Sequence, residues 1–216
     1  MTDYIIKSMK MDNGKWIMDN GKRKMENVGN GFIRSESVAA ELTSVLSNLH
    51  ILDLCTGSGA IAIALKKAFS SATVIATDIS EKALELAKEN AILNHTDIIF
   101  KLSDLFNSLN TENDNLLFDI IVSNPPYVSD DDYTSLLPEL FYEPKIAITA
   151  DDKGLNIIKQ ILIKARDYLK ENGVLYIEIG HDQGNDITEF AKENNYSNIE
   201  IIKDLNNKNR ILRCEK

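Results

Sequence analysis

The chain has 216 residues, 44% of them hydrophobic, which is material for one full-sized domain with a large core and excludes a disordered chain. Its 33 acidic and 24 basic residues leave a formal charge of -9, which argues against a surface that coats nucleic acid. No run reaches the roughly 20 apolar residues of a bilayer span, and the N-terminus lacks the apolar region and cleavage site of a secretory signal. Cys55 and Cys214 show no metal-ligand spacing, so a cytoplasmic protein with free thiols is expected.

Residues 1–32 stand apart as a short strand-and-turn appendage before a domain over 33–216. "MDNGK" occurs at Met11 to Lys15 and again at Met18 to Lys22, and Asn-Gly is a hairpin-turn signal. Over Ser35–Leu49, Val38, Leu42, Val45, Leu46 and Leu49 fall on one helical face. Strand and helix patterns then alternate: strand over His50–Leu54, helix over Gly59–Phe69 and strand over Ala72–Asp78. A helix capped by Ser80 follows, through Ala83, Leu86, Ala87 and Ala91. Ile98–Leu102 and Leu117–Ser123 read as strands, separated by a solvated loop over Asn107–Asn115.

Leu155 to Leu169 reads as a helix that Asn172-Gly173 ends. Val174–Gly180 is a strand and Ile187 to Glu193 a helix, and "IEIIKDL" with "RILRCE" supplies a closing antiparallel pair. The expected architecture is α/β: a mostly parallel sheet with helices on both faces and an antiparallel C-terminal strand pair. Ligands in such sheets bind beyond the C-terminal ends of the strands. Each of the short motifs below falls at such an end.

"ILDLCTGSGAIA" (Ile51–Ala62) is strand, glycine-rich turn and helix. Gly57 and Gly59 allow a tight turn and close backbone approach, and Asp78 ends the next strand, where a carboxylate can accept from ribose hydroxyls. A dinucleotide and S-adenosylmethionine compete for this geometry. Asp53 in the strand end would repel a pyrophosphate but suits a ligand with an ammonium or sulfonium group, which favours S-adenosylmethionine. Asp53 and Asp78 as plain cap or solvated residues is the blander alternative. Asp104, after the third strand, could accept from an adenine amino group while Leu105 packs on the ring. Thr56 and Ile79 complete the candidate cofactor-binding residues, with Asn124 at their edge.

Asn124-Pro125-Pro126-Tyr127 closes the fourth strand. Asn offers a side-chain carbonyl, and the prolines have carbonyls but no N–H. The rigid turn therefore presents acceptors with few competing donors, suited to gripping an NH₂ group on a planar system. Tyr127 can lie against the flat acceptor and exclude water. Orientation and proximity can do most of the work of a methyl transfer there. The candidate catalytic residues are Asn124, Pro125, Pro126 and Tyr127. The blander alternative is a proline-stiffened turn with a core tyrosine.

The chain resembles the catalytic domain of the protein-(glutamine-N5) methyltransferases that modify peptide chain release factors. The motifs that carry the resemblance are "DLCTGSG", "NPPY", "YEPKIAITADDKGL" (Tyr142–Leu155), "LKENGVLYIEIGHDQG" (Leu169–Gly184) and "KDLNNKNR" (Lys203–Arg210). It covers about Gly31 to Arg213. It implies a Rossmann-like class I S-adenosylmethionine-dependent methyltransferase fold. It also implies that Asn124 and Pro125 bind the substrate glutamine amide with Tyr127 packed beside it, and that the acceptor is a Gly-Gly-Gln glutamine. A release factor is the partner so implied, and a monomer is expected.

Two departures keep other acceptors open. Before the first helix the family reads Ile-Pro-Arg-Pro-Glu/Asp-Thr-Glu, whereas "FIRSESV" (Phe32–Val38) keeps Arg34, Glu36 and Ser37 but neither proline. The family's N-terminal helical domain has no counterpart in the residues before this segment, so a reduced form or a different acceptor is expected. The alternative acceptors are an amino group on a small molecule, another protein, or a DNA or RNA base. A nucleic acid would need a basic groove, yet Lys22-Arg23-Lys24 and Lys66-Lys67 are short and Asp130-Asp131-Asp132 flank the NPPY turn. A binding module without the reaction is opposed by Asp53, Gly57, Gly59, Asp78 and Asn124 occurring together. His50, His95 and His181 lack partners at ligand spacing, so no metal is expected. Glu178 either lines the crevice or braces the turn at Gly180 and Gln183.

Overall fold

The computed structural model describes Met1, Asp3 and residues 49–109, 117–128, 151, 152 and 154–216. Apart from Met1, Asp3 and Leu49, the expected appendage and the helix over 35–49 lie outside these residues, as do the end of the Asn107–Asn115 loop and most of Tyr142–Leu155. The elements are β1 (His50–Leu54), α1 (Ala60–Ala68), β2 (Thr73–Asp78), α2 (Glu81–Leu93), β3 (Ile99–Leu102), β4 (Phe118–Ser123), α3 (Asn156–Tyr168), β5 (Leu169–Glu178), α4 (Gly184–Glu193), β6 (Ser197–Lys203) and β7 (Asn209–Glu215).

The strands form one sheet in the order β3-β2-β1-β4-β5-β7-β6. β3, β2, β1, β4 and β5 are parallel, and β7 runs antiparallel to both β5 and β6. The period of two in the strands explains the layering. Leu52, Leu54, Ile75, Ile121, Leu175 and Ile177 join one core cluster with α3 residues Ile158, Ile161 and Leu162. Their neighbours Ile51, Val74, Ala76, Ile120, Val122 and Tyr176 join the other, with Ala62 and Leu65 of α1. Both faces are buried, which is why the strands read as continuous apolar runs.

The Ser80 cap forms as expected, its Oγ accepting the Ala83 N–H at 3.3 Å. The end of α3 differs from the expectation. It stops at Tyr168 and β5 starts at once, so Asn172 (φ 64) and Gly173 lie within the strand. The β4–β5 register shifts between Phe118 and Ile120. Burial of Leu169 against the sheet outweighs the turn signal, which is used for a bulge instead. α4 begins at Gly184, ahead of the expected Ile187, because the Ile187 N–H donates to the Gln183 carbonyl.

From β1 the chain moves outward through β2 to β3, then returns to β4 on the other side of β1. The crevice of such a sheet opens at this reversal, beyond the C-terminal ends of β1 and β4.

Candidate functional site

The turn after β1 is built on left-handed backbone at Cys55 (φ 57), Gly57 (φ 54) and Gly59 (φ 81). The Thr56 N–H donates to the Thr77 carbonyl at 2.9 Å, and the Gly59 N–H to the Thr56 carbonyl at 2.9 Å. A Cβ on Gly59 would lie 3.1 Å from the Ala87 Cβ, so the glycine allows α1 to start against α2. Among the described residues, a Cβ on Gly57 would meet nothing within 4 Å. These residues leave the space above that turn open.

Asp53 lies at the base of this turn and is 0% exposed. Its Oδ2 accepts from Thr56 Oγ1 at 2.6 Å and from the Ala62 N–H at 3.1 Å. Its Oδ1 is buried with no hydrogen-bond partner among the described residues. Burial pushes the carboxyl up to about 7, against the opposing bonds from Thr56 and Ala62. A half-bonded, buried carboxyl of this kind keeps its proton unless a cation or a hydrogen-bond donor meets Oδ1.

Asp78 takes the capping role weighed from the sequence. Its Oδ2 accepts the Gly57 N–H and its Oδ1 the Ser80 N–H, both at 2.8 Å. It pins the glycine turn and the start of α2, and each oxygen keeps a second lone pair. Ile79 beside it is 58% exposed. After β3, Ser103 Oγ donates to the Leu105 carbonyl at 2.8 Å and accepts the Ser108 N–H at 3.0 Å, shaping the turn that exposes Asp104. Leu105 (φ 48) packs partly against the core.

On the other side of the reversal, Ser123 Oγ donates to the Leu54 carbonyl at 3.0 Å and ties the ends of β4 and β1 together. Asn124 is exposed and Pro125 buried, while Pro126 and Tyr127 are half-buried. Tyr127 is held at both ends. Its carbonyl accepts from Gln183 Nε2 at 3.0 Å, and Gln183 Oε1 in turn accepts the Gly180 N–H at 2.8 Å. Its phenol donates to Glu178 Oε1 at 3.3 Å and accepts from Arg210 Nη1 at 3.3 Å. Arg210 Nη2 reaches Asp204 Oδ2 at 3.4 Å. Burial and then the Glu178 carboxylate raise the phenol above its usual range, so it stays protonated. Glu178 thus bonds Tyr127, and Gln183, not Glu178, braces the Gly180 turn.

The pairings Leu54↔Thr77, Leu54↔Ser123 and Asp78↔Leu102 set these segments in a row along one sheet edge. Asp53 to Gly59, Asp78 with Ile79, Asp104 with Leu105, and Asn124 to Tyr127 all belong to that row. Residues 35–151 match the family model described as "Methyltransferase small domain". The chain belongs to the methyltransferase small domain family. It is 41% identical over 169 residues to the release factor glutamine methyltransferase of Fusobacterium nucleatum, covering 77% of this chain and 47% of the relative. It is 45% identical over 136 residues to the ribosomal protein uL3 glutamine methyltransferase of Francisella tularensis, covering 62% of this chain and 42% of the relative. The chain therefore spans about half the length of the curated relatives it matches. A methyltransferase from Pyrococcus furiosus shares the fold with a TM-score of 0.59 at 21% identity, over 83% of this chain and 81% of that one. The sheet is thus the Rossmann-like sheet of class I S-adenosylmethionine-dependent methyltransferases.

Three supports of this candidate site carry no local signal of their role: Ser103, Ser123 and Gln183. Each is a small or neutral polar residue that satisfies a backbone carbonyl or amide, in two cases on a distant segment. For Gln183 and Arg210 the usable signal was membership of the C-terminal motifs. No helix among the described residues is long and apolar enough to cross a membrane.

Proposed function

We propose that this chain is an S-adenosylmethionine-dependent N-methyltransferase that modifies the side-chain amide of the glutamine in the Gly-Gly-Gln motif of peptide chain release factors. The observation that carries the reading is the placement of Asn124-Pro125-Pro126-Tyr127 at the end of β4, directly beside the β1 turn at the reversal of strand order. An acceptor-rich turn there faces the place where such sheets hold their ligand.

S-adenosylmethionine, when bound, supplies an electrophilic methyl group on a sulfonium. Toward it, the unpartnered Asp53 Oδ1 would meet the amino group, with Thr56 fixing the carboxylate's other oxygen. Spare lone pairs on Asp78 would accept from ribose hydroxyls, and the open space over Gly57 admits the ligand. Asp104 would accept from the adenine amino group, with Ile79 and Leu105 against the ring. The Asn124 side-chain oxygen and the Pro125 carbonyl would take the two amide hydrogens of the acceptor, and Pro126 stiffens the turn. The acceptor nitrogen would gain the methyl as that group's bond to the sulfonium sulfur breaks, the bond pair staying on the sulfur as a neutral thioether, and the nitrogen's proton would pass to solvent water. The Tyr127 phenol, raised and already donating to Glu178, does not take that proton. Orientation and proximity carry the rate.

Methyl-labelled S-adenosylmethionine, the purified protein, and a bacterial release factor with its Gly-Gly-Gln→Gly-Gly-Ala variant test the reading. Label is expected on the first factor and not on the second. The Francisella tularensis relative favours a second acceptor of the same amide chemistry, ribosomal protein uL3. Label on uL3 alone would transfer the reading to that substrate, and label on neither, with cofactor bound, would refute both glutamines and move the search to another amide, a base amine or a small metabolite.

A further inference from the structure

We infer that Glu178 and Arg210 are positioning residues for methyl transfer, acting together through the Tyr127 phenol to hold the Asn124-Pro125 acceptor turn in register with the β1 loop. The inference rests on the acceptor-site reading above. Its starting point is topological. In a sheet of parallel strands only C-terminal strand ends reach the ligand edge, but β7 runs antiparallel between β5 and β6 and so brings its first residues to that edge. Glu178 is the last residue of β5 and pairs with Ile211, next to Arg210, and the Ile179 N–H donates to the Arg210 carbonyl at 2.9 Å. A cation and an anion are thus fixed by the sheet at the point where the turn after β4 arrives.

The phenol is the shared partner. It donates to Glu178 and accepts from Arg210, and Arg210 Nη1 is 3.9 Å from Glu178 Oε1. Arg210 is anchored on its far side by Asp204, whose carboxyl the Lys208 amide, the Asn206 amide and Arg210 hold below its usual range. Arg210 thus reaches Tyr127, Glu178 and Asp204 from one planar fork, which a lysine ammonium cannot span. These side chains are only partly exposed, with Glu178 at 21% and Arg210 at 33%. Between Asn124 and Tyr127 stand two prolines with fixed φ. A displacement at Tyr127 is therefore passed to Asn124 and Pro125 instead of being absorbed by the turn.

The test uses the full chain with Tyr127→Phe, Glu178→Gln, Arg210→Ala and Arg210→Lys, and the pairwise combinations with Tyr127→Phe. Expected is a fall in kcat of roughly ten- to a hundred-fold for each single variant, with the Kd for S-adenosylmethionine unchanged and no rescue by lysine. In the Tyr127→Phe background, Glu178→Gln and Arg210→Ala should cost nothing further, because all three act through one oxygen. Effects that add to Tyr127→Phe would overturn the inference. An acceptor-independent readout is the NMR signal of ¹³C-labelled Tyr127, assigned by its loss in Tyr127→Phe. Glu178→Gln should lower the pH at which it titrates and Arg210→Ala should raise it. A Tyr127 signal unmoved by both overturns the clamp even where transfer falls. If wild-type protein labels no release factor, the substrate reading fails, and the Tyr127 signal alone decides whether the clamp exists.

Discussion

The backbone of Gly154 lies directly against the carbonyl of Tyr127. A Cβ built on Gly154 would fall 1.9 Å from that oxygen and 2.8 Å from Gln183 Nε2, the group that donates to it. Gly154 also holds φ +78, which L side chains rarely adopt. Gly154→Ala therefore cannot be accommodated without moving the loop after β4. A loss of about 2–4 kcal/mol is predicted, together with reduced methyl transfer. Urea unfolding gives the first quantity. A loss below about 1 kcal/mol would show that the close approach does not persist in solution.

The glycines of the β1 turn should separate fold from ligand binding. Gly59→Ala meets both a left-handed backbone and the Ala87 Cα and Cβ at 3.3 and 3.1 Å, so α2 must shift. About 2–3 kcal/mol of destabilisation is predicted. Gly57→Ala meets only the backbone cost, about 1 kcal/mol, because among the described residues its Cβ has no neighbour within 4 Å. That space is where the ligand is proposed to sit, so Gly57→Ala should weaken S-adenosylmethionine binding more than it weakens the fold. Unchanged affinity in Gly57→Ala, read by calorimetry, would place the cofactor elsewhere.

The covering of both sheet faces was legible in the sequence because apolar strand segments alternate with helical ones, each recognised locally, and in the structure neighbours such as Ile51 and Leu52 go to opposite cores. The Ser80 cap was legible for the same reason: its signal is local. The bulge at Asn172 was not, since the dipeptide that ends a helix also suits a left-handed kink in a strand, and only burial of Leu169 decides between them. The clamp on Tyr127 was the least visible part. Its partners Glu178, Gln183 and Arg210 lie 51, 56 and 83 residues away, and Arg210 arrives only because β7 inserts between β5 and β6, a step no local pattern encodes.

Asn124 is exposed while Pro125 is buried, so the side chain proposed to grip the acceptor contributes little to the core. Asn124→Ala should leave stability within about 0.5 kcal/mol and the S-adenosylmethionine Kd within a few-fold, while methyl transfer falls by about a hundred-fold or more. Calorimetry and the labelled-methyl assay on one preparation make the comparison. Wild-type transfer by the variant would remove Asn124 from the catalytic residues. Joint loss of binding and transfer would make it a cofactor contact first.

Asp53 makes two predictions of opposite sign. Its carboxyl is raised from 3.8 to about 7 by burial. Between those values the folded chain holds a proton that the unfolded chain has released. Stability without ligand should therefore fall as pH rises from about 4 to about 7, by on the order of 4 kcal/mol, and then level off. Asp53→Asn should flatten that slope in urea unfolding at about pH 5 and about pH 8. A cation beside Oδ1 favours the ionised carboxylate, so cofactor affinity should climb over the same interval. At about pH 6 binding should then release close to one proton, measured by calorimetry in buffers of different ionisation enthalpy. An aspartate that only orders the turn through Thr56 and Ala62 would produce the stability slope without the proton release. No released proton would therefore leave Asp53 a structural residue and move the ammonium site away from it.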